Sequence, residues 1–190
     1  MPLRTFIERM KERPSPSVLE LGTLRVQGEE STLRKRFVPH AAEYVGTDFR
    51  AGPDVDVVAD VHELTRTFGE ERFDAVISCS TLEHVKYPWI AVVEINRVLK
   101  PGGLVFVQTH QTFPIHAYPS DYWRFTREGL EALFAAQVGF RTVASAHEFR
   151  CAVASAREPR LALLPAYLNA LLTTEKVAHA GPSFRWTSDL

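Results

Sequence analysis

The sequence predicts an α/β domain built on a doubly wound, mostly parallel sheet. Three observations carry this reading. Short apolar runs alternate with segments of helical spacing from residue 18 onward, and repeated strand–helix units require a parallel sheet covered on both faces. Proline and glycine stand where such units start and stop, at Pro88 and at Pro101-Gly102-Gly103. Acidic residues, Glu20, Asp48 and Asp60, fall at or near the carboxyl ends of successive strands, where open parallel sheets bind ligands.

The elements follow in order. Phe6, Ile7 and Met10 recur at helical spacing, which predicts a short amphipathic helix over 3–12, broken by Pro14 and Pro16. Residues 18–21 read as a buried strand ending at Gly22, followed by a loop and a short helix over 31–37. Strands follow at 44–48 and 55–60, a short helix at 62–68, and at 73–79 a strand apolar on both faces. A helix over 88–99 carries Ile90, Val93, Val98 and Leu99 on its apolar side, and residues 104–107 form the next strand. Thr126 is a plausible N-cap for a helix to residue 136, with Glu128 favourable in its first turn. Residues 140–146 and 151–156 are expected to pair as a hairpin and to add an antiparallel strand, and 161–172 is expected to be a helix before a loose tail. The expected organisation is an extension over 1–16, a domain over 17–156, and a helix and tail over 157–190.

Composition narrows the function. The 190 residues carry a formal net charge of -1, which argues against a general nucleic-acid binder. With 45% apolar and 24% charged residues, wholesale disorder is excluded. Cys79 and Cys151, the two cysteines, lie in apolar segments and are expected to be reduced and buried. Residues 1–13 contain no apolar signal core, and 161–172 is too short to span a bilayer. A cytoplasmic protein without a membrane span is the expectation.

Asp48 is placed to accept both ribose hydroxyls of a nucleoside, Asp60 to accept from an adenine amino group, and Phe49 to lie against the adenine face. A turn or cap role is the competing reading of any one such Asp; three acids at consecutive strand ends favour nucleoside binding. A nicotinamide dehydrogenase needs a G-x-G-x-x-G run opening its first helix, and none is present.

Two stretches are more specific: the run from Phe73 through Ser80-Thr81-Leu82-Glu83-His84-Val85, and Glu94-Ile95-Asn96-Arg97-Val98-Leu99-Lys100-Pro101-Gly102-Gly103. With them the chain resembles a class I S-adenosylmethionine-dependent methyltransferase of the Rossmann-like, seven-stranded type, close to the methyltransferase type 11 group. The resemblance runs from Val18 to about Ala156. It implies S-adenosylmethionine as cofactor and S-adenosylhomocysteine as product. Asp48 matches the family's ribose-binding acid and Asp60-Val61 its adenine-contacting pair. Glu20, Gly22, Thr23, Ser78 and Cys79 would border the methionine part.

The glycine motif departs from the family. Only Gly22 matches; Leu24 and Val26 occupy the next two glycine positions, and Gly28 comes late. Glycine there normally lets backbone approach the cofactor. Either a longer loop turns at Gly28 and still presents Gly22 and Thr23, or the chain is a non-catalytic relative that uses the fold for binding or assembly.

Methyl transfer from a sulfonium depends on positioning, with a general base needed for a hydroxyl acceptor. His84 and His110 are the candidate catalytic residues; for His84 the structural alternative is a hydrogen bond holding the loop before Pro88. The stretch 110–126 is long for a strand–helix connection, as functional lids tend to be. Within it His116, Tyr118, Tyr122 and Arg124 are candidate contacts to a small-molecule acceptor, whereas Trp123 is expected to seat the next helix. His110 and His116 with Asp121 make a weak metal pattern, and no metal is expected. A homodimer through the C-terminal helix is a further expectation.

Overall fold

The computed structural model describes residues 1–25, 30–31, 33–117, 119–154, 163–181, 184 and 186. Gly28, Tyr118, residues 155–156 of the expected hairpin and residues 161–162 of the expected helix lie outside them.

Seven strands form one sheet: β1 (Ser17–Leu21), β2 (Glu43–Asp48), β3 (Val57–Val58), β4 (Phe73–Cys79), β5 (Leu99–His110), β6 (Phe140–Val153) and β7 (Leu164–Lys176), in the order β3-β2-β1-β4-β5-β7-β6. β1 to β5 are mutually parallel, and β7 runs antiparallel to both β5 and β6. Strand order reverses between β1 and β4, which opens a crevice at their carboxyl ends.

Alternation along the inner strands feeds two cores. Val18, Ala75, Ile77, Leu104 and Phe106 face one side, while Leu19, Leu21, Val76, Val105 and Val107 face the other. Helix α1 (Pro2–Lys11) covers the first side through Phe6 and Met10, both fully buried, with the Phe6 ring 5.7 Å from that of Phe106. Burying such side chains stabilises the fold by ~1.5–3 kcal/mol each. The second side is covered by α2 (Leu64–Phe68), α3 (Pro88–Val98) and α4 (Arg127–Leu133). Pro88 sits in the first turn of α3, where a missing N–H costs nothing. Thr126 caps α4 as expected, accepting the Gly129 N–H at 3.0 Å. Beyond α4 a single 3₁₀ turn, Ala136–Val138, leads to Gly139 at φ 85°. A Cβ at Gly139 would stand 2.1 Å from the Ala178 carbonyl oxygen, so the tight return to β6 requires glycine.

The C-terminal third differs from expectation. Residues 140–146 and 151–153 of the expected hairpin lie on a single strand, β6, whose partner is β7, and residues 164–172 of the expected helix lie on β7. The reason is burial on both faces. Between β5 and β6, residues Ala170 to Thr174 are consecutively buried, so no period-two alternation marks the strand. Other elements are shorter than expected. β3 has two residues because the turn before it binds Gly46 N–H through the Asp56 carboxylate; among the described residues of 31–37 only Lys35–Phe37 is helical, as a 3₁₀ turn; and α4 ends at Leu133.

The expected extension over 1–16 is joined to the sheet through α1. α1 packs on β5, β6 and β7, and the buried Thr173 hydroxyl donates to the Pro2 carbonyl at 2.8 Å. The element expected to carry a homodimer is an interior strand and offers no free helix face. Among the described residues, no helix is long and apolar enough to cross a membrane.

Candidate active site

β2 ends at Asp48, and the turn after β3 begins at Asp60, so two carboxylates meet beside Gly22 at the end of β1. A cleft of about 710 Å³ opens there, bordered by Gly22, Asp48, Phe49, Asp60 and Val61 at one end and by His84 and Tyr122 at the other. That volume suits a nucleoside-sized ligand together with a small second molecule. One Asp48 oxygen accepts the Arg50 N–H at 3.1 Å. Asp60 accepts from the His62 backbone N–H at 2.9 Å and ring Nδ1 at 2.6 Å. Burial alone would raise its pKa, but these two bonds outweigh it and hold the carboxyl below its ordinary range. Phe49 is exposed, with the Arg50 guanidinium over its ring.

Gly22 has φ 72°, and its N–H and that of Thr23 both donate to the Thr47 carbonyl. The chain then turns toward the segment after β2: Arg25 N–H donates to the Pro53 carbonyl, and Leu24 lies over Gly52, where a Cβ would come 2.4 Å from Leu Cδ1. The side chain at a usual glycine position is accommodated by a glycine on the opposite segment. Leu24 itself borders the cleft.

Residues 29–107 match the family model described as a methyltransferase domain. The match covers 79 of the 190 residues. Solved structures share its fold. A Burkholderia thailandensis 1,6-didemethyltoxoflavin-N1-methyltransferase, crystallised with 1,6-didemethyltoxoflavin and S-adenosylhomocysteine, is 19% identical with a TM-score of 0.63, covering 93% of this chain and 77% of its own. An S-adenosylmethionine-dependent methyltransferase from Mesorhizobium loti is 17% identical with a TM-score of 0.59, covering 89% and 95%. The [4+2]-cyclase SpnF is 16% identical with a TM-score of 0.60, covering 92% and 79%. No curated protein sequence matches the chain.

Several expected cofactor contacts lie behind the cleft wall. Glu20 is buried and accepts from the Arg34 N–H at 2.8 Å and the Tyr44 hydroxyl at 2.5 Å, and burial raises its pKa despite both donors. Thr23 and Ser78 are buried and do not border the cleft. Cys79 is likewise absent from its lining, and burial pushes the thiol up to about 12. Glu20 joins β1 to Tyr44 and the segment at Arg34, a structural task that an acidic residue at a strand end does not reveal.

The stretch after β5 is clamped onto the segment after β4 as a lid. Tyr122 and Trp123 N–H groups both donate to the Glu83 carbonyl, and Trp123 Nε1 donates to the Val85 carbonyl at 3.0 Å. Trp123 thus ties its segment to the one after β4, rather than being shown to seat the next helix as expected. Arg124 differs from the expected acceptor contact: its guanidinium is engaged by both Asp121 oxygens and by the carbonyls of Phe113, Pro114 and Trp123. Its pairing holds the Asp121 carboxyl well below the usual range.

Under this lid three histidines gather around Glu83. His84 Nδ1 donates to the Ser120 carbonyl at 2.6 Å, and its ring stands 4.7 Å from that of His116. His110 lies deeper, outside the cleft lining, with Phe113 stacked on it at 4.0 Å. Burial lowers the His110 pKa, and the nearby Glu83 carboxylate offsets this only in part. Its Nδ1 meets Asn169 Oδ1 at 3.0 Å. Asn169 was not legible as a site residue because its segment reads as a helix; the β5–β7 register sets it directly opposite His110.

Proposed function

We propose that the chain is an S-adenosylmethionine-dependent methyltransferase acting on an O or N atom of a small-molecule acceptor. One observation supports this most: Gly22, Asp48 and Asp60 share a single cleft with His84 and Tyr122. Asp48 accepts the ribose hydroxyls, Asp60 and Val61 hold the adenine edge, and Phe49 lies on its face. Gly22 gives backbone room beside the methionine part, while Glu20, Thr23, Ser78 and Cys79 support the wall from behind. The acceptor enters between Tyr122 and His84, with His116 on the lid side. Because Nδ1 of His84 carries the proton bound to the Ser120 carbonyl, Nε2 presents a lone pair that takes the acceptor's proton as the methyl group moves. His110 acts from behind, through Glu83.

Calorimetry with S-adenosylmethionine and S-adenosylhomocysteine tests the reading. Binding is expected for the wild type, and Asp48→Ala is expected to weaken it by about 10–100-fold, the loss of roughly 1.5–3 kcal/mol in charge-assisted hydrogen bonding. Folded protein that releases no heat with either ligand would favour a non-catalytic relative instead.

A further inference from the structure

The histidine cluster contains an arrangement that goes beyond the base role given to His84. Every ring directs Nδ1 at a group that can only accept. His84 Nδ1 meets the Ser120 carbonyl at 2.6 Å. His110 Nδ1 meets Asn169 Oδ1 at 3.0 Å. His116 Nδ1 meets Asp121 Oδ2 at 3.3 Å and the Pro114 carbonyl at 3.2 Å. The Nδ1 atoms therefore carry protons, and in the neutral rings each Nε2 presents a lone pair. Those of His84 and His110 lie 4.0 and 3.2 Å from the same atom, Glu83 Oε1.

Glu83 is fully buried. Its Oε2 accepts from the Thr109 hydroxyl at 2.6 Å, whereas Oε1 has no hydrogen-bond partner. Ligand atoms of Glu83, His84 and His116 lie within 4.8 Å of one another. The nearby cation that would neutralise such a group, Arg124, is held by Asp121 and three carbonyls. The centre thus holds a carboxylate oxygen and imidazole lone pairs facing one another, and their mutual repulsion calls for a positive charge.

We propose that Glu83, His84 and His116, with His110 beside them, bind one divalent transition-metal ion under the lid. Imidazole nitrogens with a carboxylate suit zinc, manganese, iron or cobalt rather than calcium or magnesium. The outer contacts match the usual support of such a site: a carbonyl, an amide oxygen and a carboxylate each orient one imidazole, and a hydroxyl orients the carboxylate. The ion's open side faces the cleft through His84. If the proposed acceptor reading holds, which this clause alone rests on, the ion occupies the Nε2 lone pair of His84 in place of the proton-accepting role given above, and it lowers the pKa of an acceptor hydroxyl so that the proton leaves to solvent.

The test uses the full chain without an added polyhistidine tag, stripped with chelator and titrated with cobalt(II) and zinc(II). Expected is one ion per chain at micromolar affinity or tighter, with visible cobalt bands. His116→Ala, at a partly exposed position that folding tolerates, and Glu83→Gln are each expected to weaken binding at least 100-fold. Asn169→Ala is expected to weaken it about 10–100-fold through the orientation of His110. His179→Ala, remote from the cluster, is expected to change nothing. Millimolar binding, or affinity insensitive to His116→Ala and Glu83→Gln, overturns the proposal. Titration with S-adenosylhomocysteine runs alongside: metal binding without it leaves the ion site standing and removes the methyltransferase reading, and the reverse removes only the ion site.

Discussion

Thr81 sits directly over Gly22: a Cβ on Gly22 would come 2.3 Å from the Thr81 hydroxyl oxygen and 2.6 Å from its methyl group. The hydroxyl in turn donates to the carbonyls of Leu21 and Cys79, both at 3.1 Å. One contact thus joins the ends of β1 and β4, the two strands between which the sheet reverses. Gly22→Ala is expected to destabilise the fold, since its φ of 72° costs a side chain about 1–2 kcal/mol before the clash with Thr81. It is also expected to abolish S-adenosylhomocysteine binding. Adding Thr81→Ala should return part of the lost stability, a coupling that a double-mutant cycle measures. Gly139→Ala is the contrast: it meets the backbone of Ala178, so it should lower the melting temperature yet leave the ligand affinity of the remaining folded protein intact.

His84 stands at the junction of cleft and lid. His84→Ala is expected to reduce methyl transfer to a hydroxyl acceptor by about 10²–10⁴-fold, with the S-adenosylhomocysteine Kd unchanged. Equal turnover in both proteins would remove His84 from the chemistry and leave it the loop-holding bond to Ser120.

Cys79 carries a thiol that burial pushes up to about 12. At pH 8 it holds roughly a thousandfold less thiolate than an exposed cysteine, whose pKa is about 8.5. Alkylation of Cys79, followed by peptide mass analysis, is expected to be negligible in the folded protein and rapid in denaturant. Fast labelling under native conditions would show that the segment behind the cleft opens.

Glu175 joins α1 to the sheet, bonding Arg9 at 2.9 Å and Arg141 at 2.8 Å. The Arg141 bond, with help from Arg9, holds its pKa below the ordinary value of 4.5 even though burial opposes this. Near pH 4 the unfolded chain therefore binds a proton at this site that the folded chain does not, and stability falls on acidification through that range. Glu175→Gln is expected to lower stability at neutral pH and to match the wild type once the pH lies below the folded pKa. Urea unfolding at pH 7 and pH 3 measures the difference, and a constant gap would exclude the linkage.

The sequence was informative wherever a local rule acts. Pro88 and Thr126 mark helix starts because each satisfies or interrupts backbone bonding within a few residues of itself, whereas Pro101-Gly102-Gly103, expected to end a helix, lies within β5. Asp48 and Asp60 were legible as cleft residues because strand ends define the ligand side of a parallel sheet. Glu20 looked equivalent, yet its side chain points to the opposite face, where Tyr44 and the Arg34 amide receive it. One position along a strand reverses the face, and β1 is too short and too apolar for its pattern to declare which side holds the ligand.

By itself, the amino-acid order determined an α/β chain with its acids at the strand ends and its histidines in the segments after β4 and β5. Only the tertiary structure decided that Leu164–Lys176 is a strand, and that Asn169 faces His110 while His84, His110 and His116 close around Glu83. The physical reason is the same in both cases. An interior strand takes its hydrogen bonds from partners distant in sequence and is buried on both faces, so its apolar run looks like a helix. A buried carboxylate acquires its neighbours only when a lid folds over it, and no local spacing in the sequence encodes that closure.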